Sequence, residues 1–198
     1  MIHPHTELRK INDHIGVGVF ATAYIPRGTL TYVFDPLEIE LSETAFSALP
    51  EPIRQLADKY CYVDAKGLRV VSWDLAKYIN HRCDCNTLSS GWGFEIALRD
   101  IQPGEEITDD YGLFNLAREM PVTCNCPNCR LVVRPDDLDR YHELWDAQIK
   151  EVLPKMLEVE QPLLPYLEPE VYADTVRYLA GKGPYTSVQV LKCERASV

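Results

Sequence analysis

The sequence has no run approaching 18 apolar residues, so no membrane-spanning helix is expected. Its first ten residues, MIHPHTELRK, hold no apolar core, so no secretory signal is expected and the location expected is intracellular. Basic residues are few: 20 Lys and Arg stand against 30 Asp and Glu, for a formal net charge of −10. Direct nucleic-acid binding needs a basic surface and is not expected. An acidic chain suits a basic polypeptide partner, and it equally suits plain solubility. No internal repeat and no low-complexity tract occurs. The seven cysteines are an odd number without a signal sequence, which favours zinc thiolates over disulfides.

What is present is ordinary for a globular chain: 198 residues, 46% apolar and 25% charged. That length suits one domain, or one domain with a helical extension, and buries roughly 70% of the unfolded surface. The first half reads as short strands split by turns. Gly16–Ala21 reads as a Gly-rich turn running into a strand, and further strands are expected at Thr29–Phe34, Tyr60–Asp64, Leu68–Val71, Phe94–Leu98 and Glu106–Thr108. Residues 42–58 contain a short helix with Ser42 as N-cap. After Cys129 the period changes. Leu138, Tyr141, Trp145, Ile149, Val152, Leu153 and Met156 fall at helical spacing, with Pro154 kinking or ending the helix. A second helix runs from Pro169 to about Leu179, with Gly181 as its stop. The chain is therefore expected to be α+β: a mixed-β part to about residue 116, a cysteine knuckle at 117–134 and a helical tail at 135–198.

Three segments carry the chemistry. They are Gly16-Val17-Gly18, the loop Asn80-His81-Arg82-Cys83-Asp84-Cys85-Asn86, and Gly104-Glu105-Glu106-Ile107-Thr108-Asp109-Asp110-Tyr111-Gly112. Gly-x-Gly alone fits any tight turn, and the third glycine of a dinucleotide fingerprint is missing. A lone histidine in such a loop is often a core residue, and a lone tyrosine after an acidic turn is often packing. Cys124-x-Cys126-x-x-Cys129 offers three thiolates within six residues, and tetrahedral zinc needs a fourth ligand.

In order and spacing, these segments over about residues 8–130 resemble the SET-domain lysine methyltransferases. That family carries a Gly-x-Gly segment, an Asn-His-x-Cys-x-x-Asn loop, a Gly-Glu-Glu-Leu-x-x-Asp-Tyr segment and, in many members, a Cys-x-Cys knuckle. The resemblance implies a SET-type fold of small β-sheets. It implies S-adenosylmethionine as cofactor, held by Gly16, Val17, Gly18, Asn80, His81 and Phe114. It implies Tyr111 and Tyr32 as the tyrosines of the methyl-transfer channel, although the Glu and Gly that flank the family's second tyrosine are replaced around Tyr32. It also implies a structural zinc on Cys83, Cys124, Cys126 and Cys129, with Cys85 as a competitor for Cys83. Cys61 and Cys193 read as ordinary cysteines.

The implied reaction moves a methyl group from a sulfonium to a lysine ε-amine of a basic protein such as a histone. An ammonium cannot attack, and its deprotonation at pH 7 costs roughly 4–5 kcal/mol. An apolar channel and a nearby cation both lower that cost. Asp109 departs from the pattern, because the family has phenylalanine or tyrosine there. A carboxylate facing the channel would hold the ammonium form. Asp109 therefore points away, is held by a partner, or alters activity. The competing readings are a catalytically silent SET-like binding module and a zinc-stabilised interaction protein.

Overall fold

The computed structural model describes residues 1–122, 124 and 126–194. In chain order its elements are β1 (Thr6–Asn12), β2 (Gly16–Ala21), β3 (Leu30–Val33), β4 (Ile39–Leu41), α1 (Glu43–Ser47), α2 (Glu51–Tyr60), β5 (Cys61–Val63) and β6 (Arg69–Val71). They continue with β7 (Asn80–His81), β8 (Thr87–Ser89), β9 (Phe94–Ala97), β10 (Glu106–Asp109), β11 (Met120–Pro121), β12 (Val132–Val133), α3 (Asp137–Val152) and α4 (Pro169–Leu179). The architecture is α+β: small sheets with interspersed helices and a helical C-terminal region. No helix among the described residues is long and apolar enough to cross a membrane.

One sheet has the order β1-β2-β10-β7, with β10 antiparallel to β2 and parallel to β7. This pairing sets the Gly-x-Gly strand and the Asn80–His81 strand on either side of β10, which leads into Tyr111. A second sheet, β3-β9-β8, and a third, β4-β6-β5, are antiparallel. The segment expected to hold one helix holds two. Ser42 caps α1 by accepting from the Ala45 amide at 3.2 Å, and Pro50 interrupts the chain before α2 begins. The turn at Lys66-Gly67 is closed by Asp64, whose Oδ1 accepts from the Lys66 and Leu68 amides at 3.0 and 2.8 Å.

β9 is buried on both faces. Phe94 and Ile96 meet Val152, Leu153, Met156 and Leu163 from the helical region, so the tail and the sheet share one core. Glu95 projects the other way. This is why the apolar alternation of β9 is weak in the sequence. Trp145 and Ile149 of α3 pack on Leu88 and Leu113. α3 carries Asp137 and Asp139 in its first turn and Lys150 in its last, which complements the helix dipole. It passes into a tighter helical turn, Leu153–Leu157, at Pro154. Pro154 falls in the first turn of that segment, where its missing N–H is tolerated.

β3 lies at the edge of its sheet. The Leu30 amide donates to Gln161 Oε1 at 2.8 Å, and Gln161 Nε2 donates to the carbonyls of Gly28 at 2.8 Å and Met156 at 3.0 Å. The first three residues cover the rest of that edge, with His3 N donating to Thr31 O at 2.9 Å and Val33 N to Met1 O at 3.0 Å.

At Gly112 the turn after β10 packs tightly on α3. A Cβ there would lie 2.9 Å from Trp145 Cη2 and 3.0 Å from Asp137 Cβ. Gly112→Ala should lower stability by about 1–3 kcal/mol through overpacking. The check is a lower urea midpoint at unchanged slope.

Candidate active site and metal centre

The four expected thiols converge. Cys83, Cys124, Cys126 and Cys129 place their sulfurs within 4.8 Å of one another. Cys124 Sγ lies 3.1 Å from that of Cys126, 3.3 Å from that of Cys129 and 3.7 Å from that of Cys83. Sulfurs at the corners of a zinc tetrahedron, with Zn–S near 2.3 Å, stand about 3.8 Å apart. Donor type, number and spacing therefore fit a structural zinc. Two backbone amides point at these sulfurs: Arg130 N to Cys83 at 3.3 Å and Leu131 N to Cys129 at 3.4 Å. Cys85 lies outside the cluster and packs against the Leu88–Leu113–Trp145 core.

Arg130 connects the knuckle to the rest of the site. Its guanidinium hydrogen-bonds the buried Asp110 carboxylate and lies 3.4 Å from Asp137 Oδ2. It also sits over the Tyr141 ring at 4.8 Å. Asp110 accepts in addition from Trp145 Nε1 at 3.2 Å and from Gly112 N at 3.0 Å. Burial pushes its carboxyl upward, and the Arg130 charge opposes that push.

Tyr111 follows directly. Its hydroxyl donates to Ile79 O at 2.7 Å, and its amide donates to His81 Nδ1 at 3.2 Å. His81 Nε2 lies 3.3 Å from Cys83 Sγ, so the neutral ring carries its proton on Nε2. Burial, with the Arg130 charge behind it, lowers the His81 pKa to about 4. Asn80 Nδ2 donates to Val17 O at 3.0 Å and Glu106 Oε1 at 2.8 Å, fastening the loop to β2 and β10. Space is open beside Gly16, whose φ is +91°. Beside Gly18 it is filled by Glu106, Ile11 and Asn80.

A cleft of about 860 Å³ opens in front of Tyr111. Tyr32, Tyr111 and Phe114 line it, as do Ile79, Ser89, Ser90 and Glu95. Gly16, Val17, Gly18, Asn80, His81 and the four cysteines do not line it. Of these, His81 is tied directly to Tyr111, and Asn80 is tied to Val17. The cleft volume falls within the range of small-molecule sites, and the tilted Tyr62–Phe114 pair, with centroids 5.3 Å apart, offers an aromatic wall.

Asp109 is fully buried and held by a partner, as one of the expected alternatives required. Its carboxyl accepts from Ser89 Oγ at 3.2 Å and from the Asp110 amide at 2.6 Å. Burial, with the neighbouring Glu95 charge, pushes its pKa well up. Burial likewise raises Glu95 to about 7.

Sequence reasoning missed Glu95, Ser89 and Arg130, and gave Asn86 no role of its own. Asn86 Oδ1 accepts from the Thr108 amide at 2.9 Å, and its Nδ2 donates to Glu106 O at 2.8 Å, which aligns β10. Its place in the Asn-His loop was a signal. Arg130, next to the last cysteine, was another.

Residues 16–112 match the family model described as SET domain. Among curated proteins the chain is 29% identical over 133 residues to "Histone-lysine N-methyltransferase Set2" of Drosophila melanogaster. It is 31% identical over 143 residues to "Variant-silencing SET domain-containing protein" of Plasmodium falciparum (isolate 3D7). These matches cover 58% and 62% of this chain and 5% of each relative's length. Among solved structures, the methyltransferase domain of human Histone-lysine N-methyltransferase SETMAR matches at a TM-score of 0.44 and 16% identity. That match covers 67% of this chain and 58% of the other.

Two outcomes follow. Zinc added to the reduced protein should bind at about one ion per chain, and Cys126→Ser should weaken it by at least about tenfold. Unchanged metal content in that variant would rule the knuckle out. The second concerns pH. Between pH 4.5 and about 7 the folded chain keeps a Glu95 proton that the unfolded chain has released. Stability should therefore fall across that window, by on the order of 3 kcal/mol from this group, and stay lower above it. Glu95→Gln should flatten that part of the slope in urea midpoints measured at pH about 5 and about 7.5.

Proposed function

From the match of residues 16–112 to the SET domain model, we propose that this chain is an S-adenosylmethionine-dependent protein-lysine methyltransferase. Its substrate in this reading is a lysine in a basic segment of a histone or another basic protein. The supporting observation is the cleft in which Tyr111, Tyr32 and Phe114 meet, with the Tyr111 hydroxyl fixed to the carbonyl next to Asn80. The acidic balance of the chain, −10 in net charge, and the histone-lysine names of its relatives support the substrate class. An intracellular place of action goes with it.

In this reading Gly16, Val17, Gly18, Asn80, His81 and Phe114 hold the cofactor, which supplies an electrophilic methyl group when bound. The chain's own groups do the rest. The backbone beside Gly16 leaves room for a close approach. Phe114 and Tyr62 exclude water with their rings. The Tyr111 phenol, kept neutral by burial, orients an amine without adding a charge. Alignment of amine and methyl then supplies much of the rate. Cys83, Cys124, Cys126 and Cys129 would hold the zinc, which braces residues 117–134 against the SET domain of residues 1–116. The third part in this reading is the extension from residue 135, in which α3 and α4 are the described helices.

A catalytically silent binding module is the second reading, and the buried carboxyls of Glu95 and Asp109 favour it if they hold an ammonium unchanged. Labelled methyl transfer from S-adenosylmethionine to a panel of basic proteins and peptides separates the two. Tyr111→Phe should keep cofactor affinity and lose turnover by about 10²-fold or more. Cofactor binding with no transfer by the unaltered protein would favour the silent module.

A further inference from the structure

Tyr32, Glu95 and Ser89 form a row across three strands. Tyr32 pairs with Glu95 between β3 and β9, and Ser89 pairs with Glu95 between β8 and β9. Directly paired residues in antiparallel strands project from the same face. All three line the cleft, as does Tyr111. Asp109 stands behind the row, joined to it by the Ser89 hydroxyl. Glu95 Oε2 is buried and has no hydrogen-bond partner among the described residues. The Ser90 hydroxyl, on the same cleft wall and wholly buried, also has none among them. Buried polar atoms without partners call for an explanation, and at a cleft wall a catalytic or binding role is one.

We propose that Glu95 and Asp109 together accept the proton of a primary ammonium that enters this cleft, converting it to the amine. The identity of that ammonium as a substrate lysine rests on the methyltransferase reading. In the step an N–H bond of the ammonium breaks and its electron pair stays on nitrogen. The proton joins a Glu95 oxygen and later returns to solvent through the cleft. The freed lone pair is what methyl transfer consumes.

Burial decides the direction. Two neighbouring carboxyls cannot both ionise in such a place, so the pair carries one proton before the ammonium arrives. An ammonium seated against it would leave two opposite charges at the buried wall of the cleft, where Glu95 and Asp109 are shielded from solvent. Moving the proton leaves an amine and two carboxylic acids, all neutral, which burial favours. Glu95 titrating at about 7 suits a base that works near neutrality. The groups facing Glu95 are Tyr32 from β3, Tyr62 from β5, Asp109 from β10, Asp74 and the N-terminal ammonium. Neither tyrosine ionises near pH 7, because burial raises both.

The test needs no cofactor. Infrared difference spectra report the protonated carboxyl band while N-acetyl-lysine methylamide is added at pH about 7. The band should grow with the lysine compound. It should not grow with the ε-trimethyl counterpart, which has no proton to give. Glu95→Gln and, separately, Asp109→Asn should abolish the growth. An unchanged or falling band, or equal growth with the trimethyl compound, overturns the proposal. With S-adenosylmethionine present, Glu95→Gln should lower kcat/KM at neutral pH by about 10²-fold and recover as pH rises toward the lysine pKa. A variant profile parallel to the parent's overturns it as well. Should the parent transfer no methyl group yet show the band growth, the enzyme reading fails and the proton acceptor stands.

Discussion

The buried carboxylate of Asp110 joins the three parts of this molecule. It receives Arg130 from the cysteine knuckle, Trp145 from α3 and the backbone of Gly112 from its own segment. A charge placed there without partners would cost several kcal/mol, and removing one partner of a buried pair typically costs about 3–5 kcal/mol. The knuckle, the helical region and the Tyr111 segment therefore hold their positions as a unit. Arg130 also presents its amide to Cys83, so the same residue serves the sulfur cluster and the carboxylate.

From that anchor the geometry of the cleft follows. Asp110 fixes the chain just before Tyr111, and the Tyr111 phenol is then aimed at Ile79 by its own hydrogen bond. The neighbour on the other side, Asp109, is turned inward to Ser89 and Glu95. Two adjacent acidic residues thus have opposite surroundings. One is matched by a guanidinium, and the other shares its burial with a second carboxyl. Burial pushes both upward, and only Asp110 has a cation to offset the push.

Strands and helices with strong periodicity or clear turn residues were legible in the sequence. α3 and α4 fall where helical spacing and Pro169 place them, and the strand expected after a turn at Gly16 already begins at Gly16. β1 and β4 were not, since β1 is largely exposed and β4 is three residues long. β8 escaped because its pairing lies inside a polar loop whose partners are distant in sequence. The convergence of Cys83 with Cys124, Cys126 and Cys129 was implied only through the family resemblance, because no local spacing joins residues 83 and 124. Glu95 was invisible for a different reason. In a strand of Phe, Ile and Ala it reads as the solvent face of an edge, and only the sheet order reveals that this face looks into a cleft.

Gln161 gives the helical region a further consequence. Its amide serves as a surrogate for a neighbouring strand, taking up the Leu30 N–H and the Gly28 carbonyl at the rim of the β3 sheet. A truncation before position 161 would leave the Leu30 N–H and the Gly28 carbonyl at that rim unpaired and would uncover the part of the core that Leu30, Phe94 and Ile96 share with Leu163 and Leu167. An open rim of this kind templates further strands, so such a fragment would self-associate before it could be assayed. The tail thus closes the rim of the β3 sheet with one glutamine and a helical cover.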